Sequence, residues 1–197
     1  MLNYEKKYED LALIAGIDEV GRGPLAGPVV CACVIMPMDS NSIIEGINDS
    51  KKLSEKKREE LYDKIIEKAV CYSIAEIDER TIDKINILEA TKLCMVKCIN
   101  SLSVKPEIVL VDALTLPIEV PQEAIIHGDA LSYNIACASI IAKVYRDRKM
   151  VEYSKIYPEY GFEKHKGYGT KFHIEALKKY GACPLHRTTF IKNLLKD

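Results

Sequence analysis

Two apolar runs rich in β-formers, joined by a short connection dense in glycine and proline, constrain this chain more than any other feature. Residues 13–20 form the first run, and Val29–Met36 the second, which stops at Pro37. Gly21, Gly23, Pro24, Gly27 and Pro28 punctuate the connection. Such a pairing predicts two antiparallel strands. Residues 38–53 read as a loop, and Ser54 as the N-cap of a charged helix to about Ala69. A strand, Val70 to Ile77, follows. Ile82, Ile85, Leu88, Met95, Val96 and Ile99 recur at helical spacing and predict one long helix near 80–102. Pro106 precedes a buried strand, Ile108 to Asp112. A short apolar run at 124–126 ends in His127-Gly128, and a helix spans about Ser132 to Tyr153. An irregular glycine-containing stretch follows Pro158, then a short helix near 171–180. Antiparallel strands followed by alternating helix and strand predict an α/β domain with a mixed sheet. The division expected is a main domain over 1–157 with a small helical extension over 158–197.

A chain of 197 residues, 48% hydrophobic and 29% charged, suits one globular domain. The N-terminal stretch Met1 to Lys7 is too charged for a signal peptide, and no apolar run reaches the roughly 18 residues of a membrane span. A cytoplasmic protein without membrane contact is expected. The seven cysteines are odd in number and form no CxxC pair, which argues against a disulfide framework and a zinc ribbon. Cys31 and Cys33 share a strand face and Cys94 and Cys98 a helix face, as small buried apolar residues do. The net charge of −1 conceals an asymmetry. Lys143–Asp197 carries 13 Lys and Arg against 6 Asp and Glu, leaving 15 and 23 before it. A basic C-terminal quarter on an acidic body points to a polyanionic partner, or to nothing more than an unevenly solvated surface.

Four acids stand out. Asp18 and Glu19 end the first strand, Asp112 closes a strongly apolar one, and Asp147 lies on a helix whose preceding turns are apolar. A carboxylate closing a buried strand costs desolvation energy unless compensated. Magnesium takes a few carboxylates plus waters and phosphate oxygens, and two such ions can hold the attacking and leaving oxygens of a phosphodiester in line. The plainer alternative is that each acid caps a helix, pairs with a base or faces water. Neighbouring strand residues point to opposite faces, so Asp18 and Glu19 can serve one site only if the strand ends or kinks there, and Gly21 and Gly23 could supply a kink. Glycines at 21 and 23 would let backbone amides approach a sugar or phosphate, and Arg22 adds a charged fork, although an ordinary hairpin turn explains the same residues. Ser50 and Lys51 precede a helix start, where phosphates bind, although a capped helix with solvated lysines explains them equally well. Lys143 sits one helical turn before Asp147 and could pair with it, the default, or lean toward a substrate phosphate. Tyr168, between two glycines in the basic quarter, could stack on a base or sugar, or fill a tight loop. His127, His173 and His186 read as surface or internally satisfied histidines, and no spacing suggests a zinc site.

Taken together, GIDEVGRGPLAGPVV at 16–30, NDSKKLS at 48–54, VDA at 111–113, ASIIAKVYRD at 138–147 and HKGYGT at 165–170 resemble bacterial type 2 ribonuclease H across most of the chain. The resemblance implies an RNase H-like mixed five-stranded sheet flanked by helices, with the C-terminal helical extension. It implies a metal site of Asp18, Glu19, Asp112 and Asp147 that binds two Mg2+ or Mn2+ ions during catalysis. Gly21, Arg22 and Gly23 would probe the ribose 2′-hydroxyl, which separates RNA from DNA. Tyr168 would stack on the sugar past an RNA–DNA junction, and Ser50, Lys51 and Lys143 would lie along substrate phosphates. The implied substrates are RNA–DNA hybrids and duplex DNA carrying ribonucleotides, incised 5′ of the ribonucleotide to leave 3′-hydroxyl and 5′-phosphate ends. A monomer is expected. Some relatives carry a sliding-clamp-binding tail, which Thr188 to Leu195 does not match well, so that partner stays open. Among rivals, a type 3 ribonuclease H would need an N-terminal substrate-binding domain, for which a first strand near residue 13 leaves no room. A binding module without catalysis is disfavoured because all four acids are present. Through the resemblance alone, the Gly-Arg-Gly turn and Tyr168 disfavour a nuclease for DNA branches.

Overall fold

Strands β1 (Ile14–Val20), β2 (Val29–Ile35) and β3 (Cys71–Ile77) form an antiparallel meander. Strands β4 (Ile108–Asp112) and β5 (Gln122–Ile125) join the other side of β1 in parallel, giving the order β3-β2-β1-β4-β5. This is the mixed five-stranded sheet expected. The computed structural model describes residue 2 and residues 4–195; Met1, Asn3, Lys196 and Asp197 lie outside it, and with them part of the N-terminal stretch read above.

Helices cover both faces of the sheet, so β2 is buried at every position. Ala15 and Ile17 of β1, with Cys31 and Cys33 of β2, pack on α3 (Ile87–Asn100) through Cys94, Met95 and Cys98. The cysteines are free, as their apolar settings imply. On the opposite face, Val30, Ala32 and Val34 meet α1 (Glu55–Lys68) and α5 (Tyr133–Ile156), while Ile14 meets Ile135. Complete burial of Ile135, Ile140 and Ile141 stabilises this layer by roughly 1.5–3 kcal/mol per side chain. Ser54 caps α1 by accepting from the Lys57 N–H.

The single helix expected near 80–102 is two. Helix α2 (Glu79–Ile85) ends at Asn86, whose φ of 68° and ψ of 165° interrupt the helix. The Asn86 side chain accepts from the Leu88 and Glu89 N–H groups and caps α3, which holds the backbone in this turn. The break shifts the phase of the apolar stripe: Ile82, Met95 and Ile99 face the core, whereas Leu88 is 39% exposed. After α4 (Gly128–Leu131) and α5, the stretch expected to be irregular contains a 3-10 turn, Pro158–Tyr160, and α6 (Phe162–His165). Helices α7 (Lys171–Tyr180) and α8 (Thr188–Ile191) complete the described chain.

Candidate active site

β4 stops at Asp112, where Ala113 turns to a φ of 55°. Its last rung with β1 is Val111 on Ile17, so β1 runs on without a neighbour on that side from Asp18. Pairing with β2 continues unbroken to Val20 on Val30. The kink expected between Asp18 and Glu19 is therefore absent. The two side chains leave opposite faces, Asp18 toward Ser139 of α5 and Glu19 toward Cys31, and converge around the open edge of the strand. Oxygens of Asp18, Glu19 and Asp112 all lie within 4.8 Å of one another. The length of the Glu side chain and the end of β4 do what a backbone kink was expected to do.

Asp18 is 5% exposed. Burial, then the charges of Glu19 and Asp112, push its carboxyl well above the ordinary range, against the lowering influence of the nearby Ser139 hydroxyl and of the Glu19 N–H, which donates at 2.7 Å. Burial likewise raises Glu19, with the neighbouring Arg22 opposing and Asp112 adding to the rise. Burial raises Asp112, against a hydrogen bond from the Gly128 N–H at 2.7 Å. Glu19 Oε2 is buried and accepts from no group among the described residues. Three carboxylates held this close, one with an orphaned oxygen, form a site that wants a hard cation.

Asp147 is not in that cluster. Both its oxygens accept from Lys143 Nζ at 2.7 Å, with Arg58 at 3.9 Å. Burial lowers Lys143, and the Asp147 charge counters this. Lys143 is thus committed to Asp147, the simple pairing. Ser50 is also turned inward: it is buried, and its hydroxyl lies 2.7 Å from that of Ser139. Lys51 reaches outward, its ammonium 3.5 Å from Asp129 and raised by the charges of Asp129 and Asp18 despite partial burial. Asp129, buried at the start of α4, adds its charge to Asp112. Sequence reasoning passed over it because His127-Gly128-Asp129 reads as the end of an apolar run. A Gly-Asp pair opening a helix was the available signal. Arg58 was missed as one more charge on a solvated helix, yet it donates to the Ser50 and Leu53 carbonyls and so ties the Ser50 loop to Asp147.

The Gly21–Pro28 turn is gripped from beneath by two buried guanidiniums. Arg146 of α5 donates to the carbonyls of Ala26, Pro28 and Lys166, and Arg187 to those of Gly21, Arg22 and Gly27. Burial pulls Arg187 down to about 9, still charged at neutral pH. Backbone dipoles thus compensate two charges that would otherwise be costly to bury. Carbonyls turned inward leave the Arg22 and Gly23 N–H groups without an acceptor among the described residues. Arg22 itself lies 3.4 Å from Glu19. Tyr168, 44% exposed, stands over this turn: a Cβ built on Gly23 would sit 3.8 Å from its ring. Gly167 allows this approach, since its own Cβ would lie 2.4 Å from the Ala26 carbonyl oxygen. At Gly21 the φ is 93° and a Cβ would fall 2.3 Å from Arg146 Nε. Gly21→Ala is therefore expected to cost about 2–4 kcal/mol in urea unfolding; an unchanged midpoint would contradict the packing of Arg146 under the turn.

A family model described as Ribonuclease HII matches residues 15–193. A ribonuclease HII of Caldicellulosiruptor bescii is 56% identical over 188 residues, covering 95% of this chain and 90% of its own. The ribonuclease H2 structure from Pyrococcus horikoshii OT3 is similar with a TM-score of 0.75 and 31% identity, over 92% of this chain and 96% of that one. The RNase HII of Archaeoglobus fulgidus, solved in complex with PCNA, has a TM-score of 0.78 and 28% identity, over 94% of this chain and 98% of its own.

Proposed function

The chain belongs to the ribonuclease HII family, metal-dependent endoribonucleases of RNA–DNA hybrids, and from that premise we propose that it also incises duplex DNA 5′ of a single embedded ribonucleotide, leaving 3′-hydroxyl and 5′-phosphate ends. One observation carries this: the converging carboxylates of Asp18, Glu19 and Asp112 open beside a Gly-Arg-Gly turn over which Tyr168 stands. A cut at one ribonucleotide needs a centre for hydrolysis next to a device that senses one 2′-hydroxyl, and these are neighbours here.

The carboxylate cluster and the orphaned Glu19 Oε2 suit two Mg2+ or Mn2+ ions. Bound, such ions supply the charge that activates an attacking water and stabilises the leaving 3′ oxygen. Asp18, Glu19 and Asp112 would hold them. Asp147 and Asp129 compete for the fourth place. The geometry favours Asp129, which faces Asp112 and Lys51, while both oxygens of Asp147 are occupied by Lys143. The Glu19 N–H orients Asp18, and the Gly128 N–H orients Asp112. Lys143 and Ser50 act from behind, through Asp147 and Ser139. The unpaired N–H groups of Arg22 and Gly23, with Gly21 setting the turn, offer donors to the 2′-hydroxyl. Lys51 and the basic C-terminal quarter hold backbone phosphates, contacts that weaken with salt.

Adding Mn2+ to EDTA-treated protein is expected to raise its Tm, by the equivalent of about 2.7 kcal/mol at a hundred times Kd. A Tm that ignores the metal would contradict the assignment of the cluster.

A monomer acting in the cytoplasm completes this function; among the described residues no helix is long and apolar enough to cross a membrane. A sliding clamp is a partner of the Archaeoglobus relative. In this chain α8 is pinned by Asp83, which accepts from the N–H and hydroxyl groups of Thr188 and Thr189.

Tyr168→Ala tests the substrate preference. Stacking is worth about 1–3 kcal/mol per base, so nicking at a single ribonucleotide should fall roughly 10- to 100-fold, and cleavage of a long hybrid only a few-fold. An equal loss on both substrates would remove Tyr168 from the junction.

A further inference from the structure

Beneath Tyr168, the buried pair His173 and His186 form a chain of hydrogen bonds that the catalytic cluster does not use. His173 Nδ1 lies 2.9 Å from the Tyr168 carbonyl oxygen, and His173 Nε2 lies 3.0 Å from His186 Nε2. The Cys183 N–H donates to His186 Nδ1 at 3.0 Å. A carbonyl accepts only, so His173 Nδ1 must carry its proton. In a neutral ring its Nε2 is then bare and accepts from His186 Nε2–H, which leaves His186 Nδ1 bare to receive the Cys183 N–H. The alternative, in which His186 Nδ1 donates to the Cys183 carbonyl at 3.3 Å, sets two lone pairs face to face across the pair. Only one proton arrangement satisfies every short contact. The rings are enclosed: His173 is 0% and His186 3% exposed, with Tyr160 and Phe162 edge-on or tilted around them. His165 stacks on His173 with centroids 4.5 Å apart and accepts the Gly167 N–H at its own Nδ1. The backbone on either side of Tyr168 is thus held by imidazoles.

We propose that His173 and His186 are positioning residues for substrate choice, a neutral imidazole relay that fixes the Tyr168 backbone over the Gly21–Gly23 turn. This rests on Tyr168 being the group that meets the sugar at the junction. His173 touches neither substrate nor the carboxylates. Its Nδ1–H holds one carbonyl, and a ring displaced by about an ångström is enough to cost a rate of order a hundredfold where orientation matters. Hybrids with many ribonucleotides offer other registers and depend less on that ring.

The test compares nicking of a single-ribonucleotide duplex with cleavage of a long hybrid for the full chain, His173→Leu, His173→Asn and Tyr168→Ala, with kcat and KM separated. His173→Leu should lower the single-to-hybrid ratio roughly tenfold, chiefly in kcat. His173→Asn, whose amide N–H can take the place of Nδ1–H, should recover most of it. If Tyr168→Ala leaves the ratio unchanged, the role of Tyr168 fails and the relay's role with it. If Tyr168→Ala lowers the ratio but His173→Leu depresses both substrates equally, or Asn rescues nothing, the relay is scaffolding and the proposal is overturned alone. Should the leucine variant fail to fold, nitrogen-15 spectra of the wild-type imidazoles decide. Neutral His173 protonated at Nδ1 and neutral His186 at Nε2 are expected at pH 7; the reverse tautomers, or a cationic ring, overturn the relay.

Discussion

Asp18→Asn is expected to slow cleavage by at least roughly a thousandfold, about 4 kcal/mol of transition-state stabilisation, while duplex affinity hardly changes. Asp18 sits where β1 loses β4 as a neighbour, 5% exposed, with the Glu19 N–H donating to its carboxylate. An amide in its place keeps the shape but offers one neutral oxygen and no charge. On the proposed function, affinity would come from elsewhere, from Lys51 and the basic C-terminal quarter, so a gel-shift titration should move little. The same change should make the metal-free protein more stable, by about 1 kcal/mol. Burial and two neighbouring carboxylates hold the Asp18 charge at a cost to the fold, which the amide removes. Loss of activity with no gain in metal-free stability would mean that the three carboxylates do not repel one another as their spacing requires. Near-normal turnover would remove Asp18 from the chemistry.

Asp129→Asn and Asp147→Asn should part in opposite directions. Asp129 adds its charge to Asp112 and pairs loosely with Lys51, so its amide variant should lose activity about a hundredfold and keep its unfolding midpoint. Asp147 neutralises Lys143, whose side chain is 19% exposed. Leaving that ammonium unpaired should destabilise the fold by about 2–3 kcal/mol, with a smaller effect on the chemical step at temperatures where the protein is folded. Thermal unfolding and single-turnover rates for the two variants separate these effects. A stable Asp147→Asn without activity, beside an active Asp129→Asn, would return Asp147 to the fourth ligand position that the sequence resemblance implied.

Much of this was legible in the chain because the elements are locally consistent. The two apolar runs across the glycine-proline turn became β1 and β2, Ser54 capped its helix, and the apolar run closed by Asp112 became the strand whose end opens the site. The resemblance, not spacing, placed four acids in one site, and three of them, Asp18, Glu19 and Asp112, converge. What could not be read was set by neighbours distant in sequence. Asp18 and Glu19 converge because β4 stops one residue past Val111, a fact about another strand. The Lys143 partner of Asp147 could be read from their spacing, but the approach of Arg58 from another helix could not. Asn86 breaks a helix whose apolar spacing runs through it, because periodicity does not register a residue in positive φ. Arg146 and Arg187 resemble ordinary surface charges, yet both are buried, and their partners are backbone carbonyls, which carry no trace in the sequence.

The central claim, a metal-dependent centre that selects one ribonucleotide, is tested most directly with an end-labelled DNA duplex carrying a single ribonucleotide. It is incubated with Mg2+, with Mn2+ and with EDTA, and the products are resolved at single-nucleotide length. A nick 5′ of the ribonucleotide with a 3′-hydroxyl end is predicted with metal, and none in EDTA or on the all-DNA duplex. Cleavage confined to hybrids with several consecutive ribonucleotides, or a nick that persists in EDTA, would contradict it.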